Sequence, residues 1–246
     1  MTEPPTLREV PYDRFRRTTA KRMTQSITTK PQLTLHRHAD LTRLEASLRA
    51  IKADRPDLAV GFTAALLASV ARALAGSQLN GTVDDQVVRL HDAVHLGVAV
   101  DVNGALLVPV LSDASTISVA DLDADLKTLA AKARGRGLRP EDVTGATFTV
   151  SNLGPMGVEL FTPIINPPQL AILGVGSVRE DVTFVGGALT TVRRIGLSLT
   201  FDHAATDGAE AARVLAAVCE SIESPDGLPW APADVDATPR GLAIRN

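Results

Sequence analysis
The stretch Leu197-Ser198-Leu199-Thr200-Phe201-Asp202-His203-Ala204-Ala205-Thr206-Asp207-Gly208 constrains this chain more than any other. Apolar and polar residues alternate up to Phe201, which is the period of a half-buried strand. Beyond it, Ala209, Ala212, Leu215, Ala216 and Cys219 recur at helical spacing. A strand therefore runs into a helix, with His203 at the strand end, Asp207 four residues on and Gly208 opening the helix. A strand end lies at the rim of a sheet, where ligands have access. Imidazole is the one unperturbed side chain that exchanges a proton near neutral pH.

The rest of the chain alternates in the same way. Strand patterns cover Leu33 to His38, Val94 to Val102, Leu106 to Leu111, Thr147 to Ser151, Leu170 to Val175 and Ile195 to Phe201. Asn103-Gly104 and Gly186-Gly187 are hairpin-turn signals. Phe15, Ala20, Met23 and Ile27 sit at helical spacing beside the basic residues Arg16, Arg17, Lys21 and Arg22. Leu41, Leu44, Leu48 and Ile51 form a second stripe, with Asp40 as its N-cap. Phe62 to Leu74 is apolar on most sides, as in a buried helix. Ser118 with Asp121 makes a capping box ahead of Leu122, Leu126 and Leu129. Strands joined by helices, with at least two hairpins, predict an α/β fold with a mixed sheet rather than a simple doubly wound one.

Composition narrows the function. The net charge of −3 over 246 residues argues against a nucleic-acid binder. Cys219 is the only cysteine, so no internal disulfide and no four-cysteine zinc site can form. That usage suits a reducing cytoplasm, and the longest apolar runs fall well short of the ~20 residues of a membrane span. Residues 1–10 read as a flexible lead-in or linker remnant and 11–246 as one catalytic domain. The proline-rich stretch from Pro225 to Asn246 reads as a surface wrap. His36 and His38 alternate on one strand without further ligands, and no metal site is expected. His91 and His95 have helical ligand spacing in a strand-like region. Gly174-Val175-Gly176-Ser177 lacks the third glycine and the helix of a dinucleotide fingerprint.

A second candidate for chemistry is Thr147-Phe148-Thr149-Val150-Ser151-Asn152-Leu153-Gly154. Its strand ends in two hydrogen-bond donors, Ser151 and Asn152, which can stabilise an oxyanion or serve as plain turn chemistry.

Taken together, these blocks resemble the catalytic core of the dihydrolipoamide acyltransferases of 2-oxoacid dehydrogenase complexes. Phe15-Arg16-Arg17-Thr18-Thr19-Ala20-Lys21-Arg22-Met23 is similar to the family's entry helix. His95 to Asp101 followed by Gly104 to Val110 is similar to its central hairpin. Phe161 to Gln169 and Ala171 to Gly174 are similar to a further block, and His203 with Asp207-Gly208 fits the H-x-x-x-D-G signature. The resemblance runs from about Val10 to Leu215, in order.

It implies a chloramphenicol-acetyltransferase-like sandwich with flanking helices. It also implies that His203 is the general base, that Ser151 donates to the oxyanion, and that Asp207 holds the histidine loop. The plainer reading of Asp207 is a helix N-terminal carboxylate. Coenzyme A, as substrate, would meet Arg49, Asp101, Ser151, Asn152 and Gly176, although Arg49 also reads as an exposed helix charge and Asp101 as the start of a turn. Two family contact positions depart, at Gly61 and Ala130. Between His203 and Asp207, Ala204-Ala205-Thr206 replace the family's arginine and two bulky apolar residues. The lipoyl group would come from a domain absent from this chain. The implied partners are two further copies in a trimer, a larger cubic or dodecahedral core, and the decarboxylase and dihydrolipoamide dehydrogenase components. Ser151 to Gly154 favours the branched-chain or pyruvate type. A stand-alone chloramphenicol-acetyltransferase-like enzyme and a catalytically weakened structural core are the alternative readings.

Overall fold
The computed structural model describes residues 9–231, apart from 59, 85, 103, 104 and 136. The elements run α1 (Arg14–Thr29), β1 (Gln32–Asp40), α2 (Thr42–Asp54), α3 (Phe62–Leu74), β2 (Gly81–Asp84), β3 (Val87–Leu90) and β4 (Leu96–Val102). There follow β5 (Ala105–Leu107), β6 (Val110–Leu111), α4 (Val119–Arg134), β7 (Phe148–Asn152), β8 (Ala171–Val185), β9 (Ala188–Asp202) and α5 (Gly208–Glu223). Seven strands form one mixed sheet in the order β1-β9-β8-β7-β4-β5, with β6 also on β4. β4, β7 and β8 run parallel; the other pairings are antiparallel. β2 and β3 make a separate small hairpin.

Strand alternation gives the sheet two different faces. Phe148, Val150, Leu173, Val175, Leu197, Leu199 and Phe201 join α3, α4 and α5 in the main apolar core. The opposite face carries Thr34, His36, Thr149, Ser151, Ser198, Thr200 and Asp202. Its polar groups pair across strands: Thr34 Oγ1 with Thr200 Oγ1 at 2.8 Å, His36 Nδ1 with Ser198 Oγ at 2.9 Å. The segment 157–170 lies over this face as a strap. Its Phe161 ring rests on Gly174, where a methyl group would come within 2.9 Å of the ring. At Gly176 a methyl group would fall inside the Glu159 carbonyl oxygen, so only glycine admits the strap.

Local chemistry explains the helices. α3 is buried along almost its whole length, as its composition requires. Ser118 Oγ accepts from the Asp121 N–H at 3.0 Å and so caps α4, but the Asp121 carboxylate accepts from the Ser118 hydroxyl and not from its backbone N–H, so the expected capping box is only half formed. After α5, the Pro229 carbonyl accepts from Val119 N–H, so the chain end wraps α4 as far as it is described.

Several expectations need correction. Leu106 to Leu111 is not one strand: it breaks at Val108-Pro109, because proline has no N–H to continue a ladder. Asp40 is not the N-cap of α2. Leu41 holds that position, while the Asp40 carboxylate accepts from Thr42 N–H one step early. In α5 the buried stripe is Ala211, Val214, Leu215, Val218, Cys219 and Ile222, and Ala209 and Ala212 face solvent. The larger side chains set the phase, and the alanines obscured it. In α1, Phe15 and Ile27 are exposed within the subunit. β8 and β9 reach well past their apolar stretches to a turn at Gly186-Gly187, whose φ values of 59° and 86° only glycine adopts without strain. The Asn103-Gly104 turn lies outside the described residues, but its flanks Val102 and Ala105 are antiparallel partners.

Candidate functional site
β9 delivers His203 into a tight turn at its C-terminal end. The His203 N–H donates to Pro31 O at 2.8 Å, and the Ala205 and Thr206 N–H groups both close onto Asp202 O at 3.1 Å. The His203 ring stacks on buried Phe201, with centroids 5.5 Å apart and planes tilted by 38°. The ring is otherwise exposed and makes no hydrogen bond to a described residue. It is thus anchored on one side and open on the other, as a group that must meet a substrate proton requires.

Asp207 caps α5. Its carboxylate accepts from Ala209 N–H at 3.1 Å and Glu210 N–H at 3.0 Å. Within one subunit it therefore fixes the end of the histidine loop and stabilises the positive end of the helix. Gly208 has no left-handed φ, and a methyl group there would meet nothing within 4 Å, so the turn itself does not demand glycine.

Ser151 stands on β7 in register with Ala99 of β4 and Gly174 of β8, and Gly174 in turn faces Ser198 of β9. His203 lies five residues beyond Ser198, and β9 lies two strands from β7. At ~3.3 Å per residue and ~4.8 Å per strand, the two backbones are on the order of 15–20 Å apart. Ser151 also points to the strap-covered face, while His203 sits beside Phe201 on the helix-covered side. One subunit does not bring serine and histidine together.

The other expected contacts scatter. Asn152 Oδ1 accepts from Gly154 N–H at 2.9 Å, so part of its bonding capacity is spent on the turn. Asp101 lies two residues beyond Ala99, on the same face and at the same sheet end as Ser151. Gly176 is buried under Glu159 and packs backbone on backbone. Arg49 is exposed on α2, 4.0 Å from Glu45. His38 approaches Glu159, His91 approaches Thr82, and His95 Nδ1 accepts from Asp113 N–H at 3.1 Å. No three His, Cys, Asp or Glu side chains among the described residues cluster as metal ligands. No helix among them is long and apolar enough to cross a membrane.

Two features escaped the sequence reading. A cleft of about 770 Å³ opens beside the histidine turn, lined by Gln25, Lys30, Pro167, Pro168, Ala204 and Ala205 among others. At its edge Lys30 Nζ meets Asp202 Oδ2 at 2.9 Å, with both side chains only 5% exposed. A lysine 172 residues away in sequence gives no local signal; only the neighbouring His203 could have drawn attention to Asp202.

The model of the 2-oxoacid dehydrogenases acyltransferase catalytic domain matches residues 4–229. The chain is 36% identical, over 89% of its length, to the dihydrolipoyllysine-residue acetyltransferase component of the acetoin cleaving system of Bacillus subtilis, covering 56% of that protein. It spans about half the length of the curated relatives it matches. The cubic core of a pyruvate dehydrogenase multienzyme complex superposes with TM-score 0.83 and 32% identity, over 92% of this chain and 98% of that one. The same values hold for Azotobacter vinelandii dihydrolipoamide acetyltransferase, in a study of the roles of a serine, a histidine and an asparagine in its mechanism. With nearly its whole described length matched by the family model, the chain belongs to the family of 2-oxoacid dehydrogenase acyltransferase catalytic domains.

Proposed function
We propose that this chain transfers an acyl group between dihydrolipoamide and coenzyme A, with acetyl as the favoured group. The observation that carries the reading is His203: exposed, without a hydrogen bond from its ring to any described residue, and seated on Phe201 at the end of β9. Family membership and the acetyl-transferring relatives support it.

A free thiol ionises near pH ~8.5, so little thiolate exists at neutral pH without a base. His203 takes the thiol proton of coenzyme A, and the sulfur attacks the thioester carbonyl of acyl-dihydrolipoamide. The carbonyl oxygen gains the charge and takes a hydrogen bond from Ser151 of a second copy, which the separation within one subunit requires. The tetrahedral species collapses with cleavage of the other carbon–sulfur bond. The dihydrolipoamide sulfur leaves and recovers the proton from His203. Asp207 holds the loop end in place. Asn152, Asp101 and Arg49 are the candidates for contacts with coenzyme A. In this reading the assembly is a cytoplasmic trimer or a larger core. Its partners are a lipoyl domain and the decarboxylase and dihydrolipoamide dehydrogenase components.

The test is acyl exchange between acetyl-coenzyme A and dihydrolipoamide by the assembled protein. His203→Ala is expected to lose at least ~10²-fold in kcat with the oligomer intact, and Ser151→Ala ~10²-fold or more with KM little changed. A His203→Ala protein at the wild-type rate sinks the reading. Faster exchange from isovaleryl- or succinyl-coenzyme A would replace acetyl as the acyl group.

A further inference from the structure
We infer that Lys30 is a positioning residue for His203, acting through its buried ion pair with Asp202. The inference rests on the reading of His203 as the base. Lys30 and Asp202 form the one ion pair among the described residues with both side chains so deeply buried. Such a pair is a weak source of net stability, because desolvation offsets most of the Coulomb attraction. What it fixes is geometry.

That geometry surrounds the histidine. Lys30 terminates α1, where its N–H donates to Ser26 O at 3.1 Å. Ser26 Oγ in turn donates to Ile165 O at 2.6 Å, which ties the helix end to the strap. The next residue, Pro31, accepts the His203 N–H at 2.8 Å. Lys30-Pro31 therefore grips Asp202-His203 twice, once by backbone and once by side chain. On the other side, Asp202 N–H donates to Leu170 O at 2.9 Å. The Asp202 carboxylate is divided between two tasks: Oδ2 meets Lys30, and Oδ1 accepts the Ala204 N–H at 3.1 Å. This second bond sets the peptide plane that follows His203.

The loop itself offers no substitute, since Ala204, Ala205 and Thr206 carry no charge. Without the ammonium group, the Asp202 carboxylate would turn toward water in the adjoining cleft, which it and Lys30 both line. Oδ1 would leave the Ala204 N–H, and the His203 peptide would rotate. An error of ~1 Å in the position of a catalytic group is enough to cost ~10²-fold in rate. Lys30 does not touch the reacting atoms in this scheme, so its loss should fall on kcat and not on substrate binding.

The experiment compares Lys30→Met, Lys30→Arg and Lys30→Met/Asp202→Leu, the last of which removes both charges and the acceptor for Ala204 N–H, in the assembled protein, with His203→Ala as reference. The double variant is decisive, because it leaves no charge buried alone and so keeps the fold even if Lys30→Met does not. It is expected to melt cooperatively and to exchange acetyl groups at least ~10-fold more slowly, with both KM values within about twofold. Lys30→Arg should recover most of the rate, since it restores a cation to the carboxylate. A double variant with wild-type kcat, a loss confined to KM, or a Lys30→Arg protein no better than the double overturns the inference. If His203→Ala is inactive while the double variant is fully active, only the role of Lys30 falls. If His203→Ala is itself fully active, the reading of the base falls.

Discussion

The His203 imidazole rests on the Phe201 ring, 5.5 Å between centroids, and Phe201 is wholly buried in the sheet–helix core. The position of an exposed side chain is thereby set from inside the core. Replacing Phe201 by Leu shortens the platform and leaves a small void, for a loss on the order of 1 kcal/mol. It should also lower kcat, because the imidazole loses its support. Urea midpoints and turnover measured on the same protein check both; an unchanged kcat would show that the stacking is incidental.

Asp207 offers a cleaner separation of roles. Asp207→Ala removes the acceptor for two amides at the start of α5 and should cost about 1 kcal/mol. Asp207→Asn keeps an oxygen there and should cost a few tenths of that. Equal stability losses in the two variants would contradict the capping role; thermal melts at neutral pH decide.

Gly176 is expected to be intolerant for a reason unrelated to any ligand. Its added methyl in Gly176→Ala would meet the Glu159 carbonyl oxygen, forcing the strap away from β8. Overpacking of this kind costs ~1–3 kcal/mol. Hydrogen exchange should show faster amide opening in 157–170 specifically, and wild-type protection there would refute the account.

Cys219 is buried on α5, and burial pushes its thiol up to about 11. The thiol stays protonated in the fold, so a disulfide reagent should not react at pH 8 until the protein unfolds. The sign for stability follows. The folded value lies above the unfolded one, so the contribution is complete below pH ~8.5 and is lost as pH rises toward about 11. Cys219→Ala should flatten the decline of stability across that alkaline window.

How much of this was legible in the sequence depends on where the information lies. The strand–His203–helix unit was plain because alternation, turn and helical stripe follow one another locally. α3 was legible because its run of apolar residues has no other home. β2 and β3 were missed: four residues each, with Val87, Val88 and Leu90 exposed, leave no buried face to create a period. The helical spacing of Phe15, Ala20, Met23 and Ile27 was legible, but periodicity says nothing of which body covers such a stripe, and Phe15 and Ile27 are exposed within the subunit. The Lys30–Asp202 pair was invisible, because 172 residues separate its members and only the pairing of β1 with β9 brings them together.

The separation of Ser151 on β7 from His203 in the turn beyond β9 has a genetic consequence. If each centre draws its hydroxyl and its imidazole from different chains, two crippled alleles can rescue each other. Mixed assemblies of Ser151→Ala and His203→Ala chains, unfolded and refolded together, should contain intact centres at about one boundary in four by random association around a ring. Either parent alone should contain none, and a mixture that stays as inert as its parents would mean that both groups act from a single chain.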